Sequence, residues 1–178
     1  MDGKQVAVLL KKLDLSLDQW RLQVLTGKRV MTDIIGALYP DDKLVQDSLT
    51  EQLDLRLTDL KSALDKMNTI VLDIESLNVK LKAMLDLQSM SGGQSLVVEI
   101  NQVPTDIRDL ATWASSILSE LGNQLRMNTA VVTSICHLET RELALFHQGV
   151  WTLQPAVTGQ TELFMSCIRH IVQQEAAR

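Results

Sequence analysis

Between Leu53 and Leu85 the chain returns to one face at alternating intervals of four and three residues: Leu53, Leu57, Leu60, Leu64, Met67, Val71, Ile74, Asn78, Leu81 and Leu85. A 3.5-residue repeat held this long constrains the segment to a helix whose seam other helices must cover, with a left-handed supercoil. At ~1.5 Å per residue the repeat spans roughly 50 Å. Asn78 is the one polar member. It is a candidate register-setting residue, and the same position also fits a seam that begins to splay near its end.

The remaining pattern supplies partners for that helix. "KQVAVLLKKLDL" reads as a short first helix, and Ser16 with Gln19 three residues on reads as the capping box of a second. That second helix carries Trp20, Val24, Met31, Ile34, Ile35 and Leu38 on its stripe, with Gly27 on the same line, and ends at "YPDD", where Asp41 and Asp42 suit the start of the next helix. "SMSGGQS" is expected to break the long helix, and "LVVEI" to be extended loop, since a lone strand has no partner. Pro104 and Thr105 are expected to open a returning helix with Ile107, Leu110, Ala114, Ile117, Leu121 and Leu125 on its stripe, drifting to Val132 and Ile135. A short helix over Arg141–Leu153 precedes Pro155. A last helix then carries Leu163, Phe164, Cys167, Ile168 and Ile171 inward.

The expected fold is therefore all-α: a long antiparallel coiled-coil hairpin within a helical bundle, with short C-terminal helices. One domain, 1–178, divides into N-terminal helices (1–40), the long coiled-coil helix (41–88), a linker (89–104), the returning helix (105–138) and short C-terminal helices (139–178). Aromatic residues are only 3% of the chain, so Leu, Val, Ile and Met supply the burial, which suits helix packing better than a β-sandwich.

A net charge of −5 argues against sequence-specific nucleic-acid binding, which needs a concentrated cationic face. Charge is uneven: residues 1–30 hold six Lys or Arg against three Asp, and 41–89 hold ten acids against six bases. No apolar run reaches the ~20 residues of a membrane span. Cys136 and Cys167 each lie within an apolar helical pattern and read as buried free thiols. His137, His147 and His170 are scattered and make no metal-ligand spacing. "SGGQS" lacks the Lys-Ser/Thr of a phosphate loop. No residues assemble as acid, base and pocket, so no catalytic, cofactor-binding or metal-binding residue and no small-molecule substrate is nominated, and a non-enzyme is expected. Trp20 and Trp113 sit on or beside helical stripes and read as core residues, with a partner contact as the alternative for Trp113. Trp151, in "GVWTLQPAV", closes a short helix that Pro155 must stop, which makes it either a structural corner or a partner anchor.

The stretch "ILSELGNQLRMNTAVVTSICHLETRELALFHQGVWTLQPAV" resembles the C-terminal half of the cyclin-dependent kinase 2-interacting protein family. The resemblance is carried by Leu125, Val131, His137, Leu143, Leu145, Trp151, Gln154, Pro155 and Val157, with weaker similarity over the Leu53–Leu87 coil and the Trp20 helix. Trp151, Gln154, Pro155 and Val157 thus become the candidate partner-binding or corner residues. The chain departs from the family at Gly27, where a second tryptophan is usual, at Leu121 and Asn128, which replace a Tyr and a Lys, and in lacking a longer basic N-terminal tail.

The resemblance implies a non-catalytic adaptor in the nucleus, with the cytoplasm as a second location. Its implied partners are AAA ATPase subunits acting in large ribosomal subunit maturation, and cyclin-dependent kinase 2 and Cdc7 kinase in DNA replication and checkpoint signalling. The alternative is a coiled-coil structural subunit of a spindle, kinetochore or tethering complex, which would pair with another chain along its heptad seam.

Overall fold

A computed structural model of the protein describes residues 3–39, 49–90, 97–100 and 103–173. Among these described residues five α-helices dominate, as the all-α expectation requires: α1 (Gly3–Leu38), α2 (Leu49–Met90), α3 (Ile107–Ser134), α4 (Arg141–Leu153) and α5 (Gly159–Gln173). The helices α1, α2 and α3 each contribute residues to two compact units. Unit 1 comprises Met1–Gln19, Ile70–Gly122 and Val157–Arg178, and unit 2 comprises Trp20–Thr69 and Asn123–Ala156. The expected helix starts at Asp41 and Asp42, and the break within 91–95, lie outside the described residues.

The helix α1 corrects the first expectation. Ser16 does not cap a second helix; it is buried inside one continuous helix. The reason is phase: Val6, Leu10, Leu13, Leu17 and Trp20 continue at intervals of four and three through the supposed break, and all are buried. A capping signature without Pro or Gly beside it does not outweigh an uninterrupted apolar face.

The long seam lies on α2 as expected, but it is broader than a two-stranded coil. Leu60, Met67, Ile74 and Leu81 are buried, and so are Ala63, Ile70 and Leu77, whereas Leu64 and Val71 are only half-buried. Two adjoining heptad lines covered together mark a helix flanked by more than one neighbour.

Within each unit α2 and α3 run antiparallel. In unit 1 Asn78 meets Ser115, while Leu85 shares a groove with Arg108 and Thr112. In unit 2 Met67 meets Asn128, while the charges of Lys61 and Asp54 act on Cys136.

Between these helices the structure departs from expectation again. "LVVEI" is not a lone extended segment, because β1 (Val97–Ile100) pairs antiparallel with β2 (Val103–Asp106), with Val97 opposite Asp106 and Ile100 opposite Val103. Pro104 and Thr105 therefore lie in β2 and do not open α3. Asp106 takes that role, its Oδ1 accepting from the Arg108 N–H at 2.8 Å. Pro104 carries no N–H, so a two-stranded ribbon, where one edge of each strand stays unpaired, is where a strand tolerates it.

In unit 1 the last helix is fastened at its start and along one side. Thr158 caps α5, its Oγ1 accepting from the Thr161 N–H at 3.3 Å, and Glu120 of α3 accepts from both the Thr158 N–H at 2.7 Å and the Thr158 hydroxyl at 3.0 Å. Arg169 is ion-paired with Asp14 and Asp18 of α1. Asp14 Oδ1 receives no directed hydrogen bond, so its attraction to Arg169 Nε at 3.4 Å is one of charge. Phe164 stacks on Trp113 with ring centroids 5.6 Å apart. The buried line is Thr161, Met165, Ile168 and Ile171, so Leu163, expected inward, is exposed and Phe164 and Cys167 are half-buried.

Candidate functional site

The site that the sequence singles out lies in unit 2, where α4 packs on α1. Thr140 caps α4, accepting from the Leu143 N–H at 3.3 Å. The helix stops at Leu153 because Gln154 takes a left-handed backbone (φ 50°, ψ 60°), which costs a non-glycine residue about 1–3 kcal/mol. Pro155 follows and cannot continue a helix.

Three side chains of α4 and its cap offset that strain by fastening to α1 in antiparallel order. Gln148 Nε2 donates to Thr32 Oγ1 at 2.6 Å. The Trp151 indole N–H donates to the Val24 carbonyl at 3.1 Å. Gln154 Oε1 accepts from the Trp20 indole N–H at 2.7 Å, and its amide nitrogen lies within 3.4 Å of the Trp151 carbonyl. Each buried indole therefore keeps a hydrogen-bond partner, as burial demands.

Trp151 is fully buried, and Gly27 makes room for it: a Cβ added at Gly27 would overlap the indole ring. The stripe glycine of α1 is thus a socket. A tryptophan at this position could not coexist with Trp151 in this arrangement.

A second element of unit 2 reaches the same corner. Gln124 and Asn128 of α3 are both 0% exposed, and they occupy the inward line Gln124, Asn128, Val131, Ile135. Gln124 Nε2 donates to Asn128 Oδ1 at 2.8 Å and to the Val150 carbonyl at 3.2 Å, while its Oε1 accepts from the Ala156 N–H at 3.0 Å. The Asn128 amide points at the Met67 sulfur at 3.6 Å. Sequence reading placed Leu125 and Val132 on this stripe. Both are half-buried, and the amides hold the core positions because the backbone of residues 150–156 has donors and acceptors to satisfy.

Of the residues nominated from sequence, Trp151, Gln154 and Pro155 come together in unit 2. Trp151 is inside, Gln154 half-buried and Pro155 exposed. Val157 is half-buried in unit 1. Asn78 is separate, 5% exposed in unit 1, where its Oδ1 accepts from the Ser115 hydroxyl at 3.1 Å. Gly27, Gln124, Asn128 and Gln148 were not nominated. The available signal was phase, since 117, 121, 124, 128, 131 and 135 continue the α3 repeat without drift.

The groups of this corner are amides and indoles, which neither titrate near neutrality nor attack carbon. They fix backbone geometry. The face of α4 turned away from Trp151 carries Phe146 (66% exposed) and Leu153 (80% exposed), with Gly149 between them. Elsewhere in unit 2, burial pushes the Cys136 thiol above its usual value of 9.0, against a smaller lowering by Lys61, which is the reverse of what a nucleophilic thiolate needs. Among the described residues no three His, Cys, Asp or Glu side chains come together to hold a metal ion, and no helix is long and apolar enough to cross a membrane. No protein-family model matches the chain, and no curated protein matches it.

Proposed function

We propose that the chain is a non-catalytic helical adaptor, of the kind implied by its resemblance to the cyclin-dependent kinase 2-interacting protein family. In this reading it joins an AAA ATPase assembly for large ribosomal subunit maturation and takes part in replication and checkpoint signalling with cyclin-dependent kinase 2 and Cdc7 kinase, chiefly in the nucleus. The observation that carries it is α4, a short helix locked to α1 by Trp151 on one side and presenting Phe146 and Leu153 outward on the other. Amphipathic helices with apolar anchors one to two turns apart are a common protein-recognition element.

The rival, a spindle, kinetochore or tethering subunit that pairs along its seam, is disfavoured by the burial of that seam within the chain. Leu60, Met67, Ile74 and Leu81 are at most 1% exposed. Affinity purification of the tagged chain and of Phe146→Glu/Leu153→Glu tests the reading. AAA ATPase subunits or replication kinases are expected with the parent and lost with the variant, while the variant's unfolding transition stays unchanged. Recovery of one constitutive coiled-coil partner by both chains would replace the adaptor with the rival.

A further inference from the structure

Unit 1 contains a groove of about 470 Å³ between the first turns of α1 and the last turns of α2. Val8, Leu9, Ala83 and Met84 line it with apolar surface, and Lys4, Gln5 and Lys80 complete it. No acid lines it. The segments that form it repeat that bias: Gly3–Leu13 holds three lysines and no acid, and Asn78–Leu85 holds two lysines and no acid, in a chain whose net charge is −5. Val8 remains 51% exposed and Ala83 exposed.

We infer that this groove is a docking site for an acidic amphipathic helix of a protein partner. An open furrow between two helices receives the side-chain ridge of a third, so the occupant presents Leu, Ile or Phe at i, i+3/i+4 and i+7 to the apolar floor. Its flanking Glu or Asp residues meet Lys80 at the rim, where charge steers association and selects against basic partners. An anionic membrane would also attract lysines, but it is engaged by a convex apolar face that inserts, whereas here the apolar surface is recessed between helices. The inference deepens the adaptor reading by naming the chemistry of one partner, at a surface separate from α4.

The test is selection of a phage-displayed random 16-residue peptide library on the purified full chain, followed by fluorescence anisotropy of the most enriched peptide. Enriched sequences are expected to carry net negative charge with apolar residues at helical spacing. Binding is expected to weaken about 5-fold or more on Lys80→Glu, which reverses a rim charge, and on Ala83→Trp, which fills the floor without changing charge. Lys66→Glu, the same charge change on α2 outside the groove, is expected to alter it less than about 2-fold. Circular dichroism checks that each variant folds. No enrichment, enrichment of neutral or basic peptides, or equal loss with Lys66→Glu would overturn the inference. So would Lys80-dependent binding to phosphatidylserine vesicles without peptide enrichment, which would make the face a membrane surface. Peptide binding that survives these controls while affinity purification recovers no ATPase or kinase would leave the groove standing and remove the assembly assigned above.

Discussion

The two short helices at the end of the chain, α4 with 13 residues and α5 with 15, are fastened by different physics. In unit 2, α4 is held by neutral, directional bonds from Trp20, Gln124 and Trp151, part-buried around a glycine socket, and by an exposed one from Gln148. In unit 1, α5 is held by the buried line Thr161, Met165, Ile168 and Ile171, by one stacked aromatic pair, and by charge, through Arg169 with the half-buried Asp14 and the exposed Asp18 and through Glu120 with Thr158. Buried amides and indoles accept one register, because a slip of one residue strands their donors and acceptors. Exposed ion pairs tolerate small shifts at little cost. The contrast suggests that rigidity is concentrated around α4, where the proposed recognition helix needs a fixed orientation.

The most severe way to break this contrast is Trp151→Ala, expected to destabilise the protein by about 3–5 kcal/mol in urea unfolding through lost burial and an empty socket. A loss below about 1 kcal/mol would mean that the corner collapses without penalty and that the rigid half of the comparison is wrong. Gln124→Ala should follow at about 2–3 kcal/mol, because the buried Asn128 and the half-buried Ala156 N–H lose a partner and the Val150 carbonyl keeps only the Gln154 N–H. A double-mutant cycle with Asn128→Ala should show strong non-additivity; simple addition would argue against a network.

Arg169→Ala in unit 1 should cost about 1–2 kcal/mol, because Asp14 Oδ1 stays buried without a counter-charge while the exposed Asp18 loses little, and part of the loss should vanish in high salt. A larger, salt-insensitive loss would make the two units alike. Thr161→Val sharpens the comparison from the other direction. The Thr161 hydroxyl is buried without a partner, so its replacement by a methyl of the same shape should stabilise by about 0.5–1 kcal/mol in the same assay.

The smallest effect concerns Cys136. A thiol whose folded pKa is raised contributes stability that is fully present below its unfolded value of 9.0 and is lost as pH rises through the folded value. Cys136→Ala should therefore flatten the alkaline decline of stability while leaving its slope near neutrality unchanged. An unchanged alkaline limb would show that the burial of this thiol is energetically silent.

Much of this architecture could be read from residue order. The seam of α2, the end of α1 at Leu38, and the bounds of α4 at Arg141 and Leu153 follow from periodicity, capping and the positions of Pro40 and Pro155, all of which act locally. The misreadings share a cause in longer-range demands. Ser16 resembles a cap until the phase of Leu13, Leu17 and Trp20 is counted across it. The strand Val97–Ile100 lacked a visible partner because Pro104 resembled a helix start. Gln124 and Asn128 do not stand out in the sequence, since polarity alone says nothing about which backbone groups, more than twenty residues away, need satisfying. The corner was legible as Trp151 and Pro155, but the glycine opposite was legible only as a gap in a stripe.

The fit of Trp151 against Gly27 has a consequence for descent. The two positions share a single volume, so position 27 cannot drift alone: a side chain gained there is tolerated only after the ring at 151 has shrunk or moved. Substitutions at this pair should therefore appear in a fixed historical order, the smaller ring first, and a lineage that acquires bulk at 27 while keeping tryptophan at 151 must have re-seated α4.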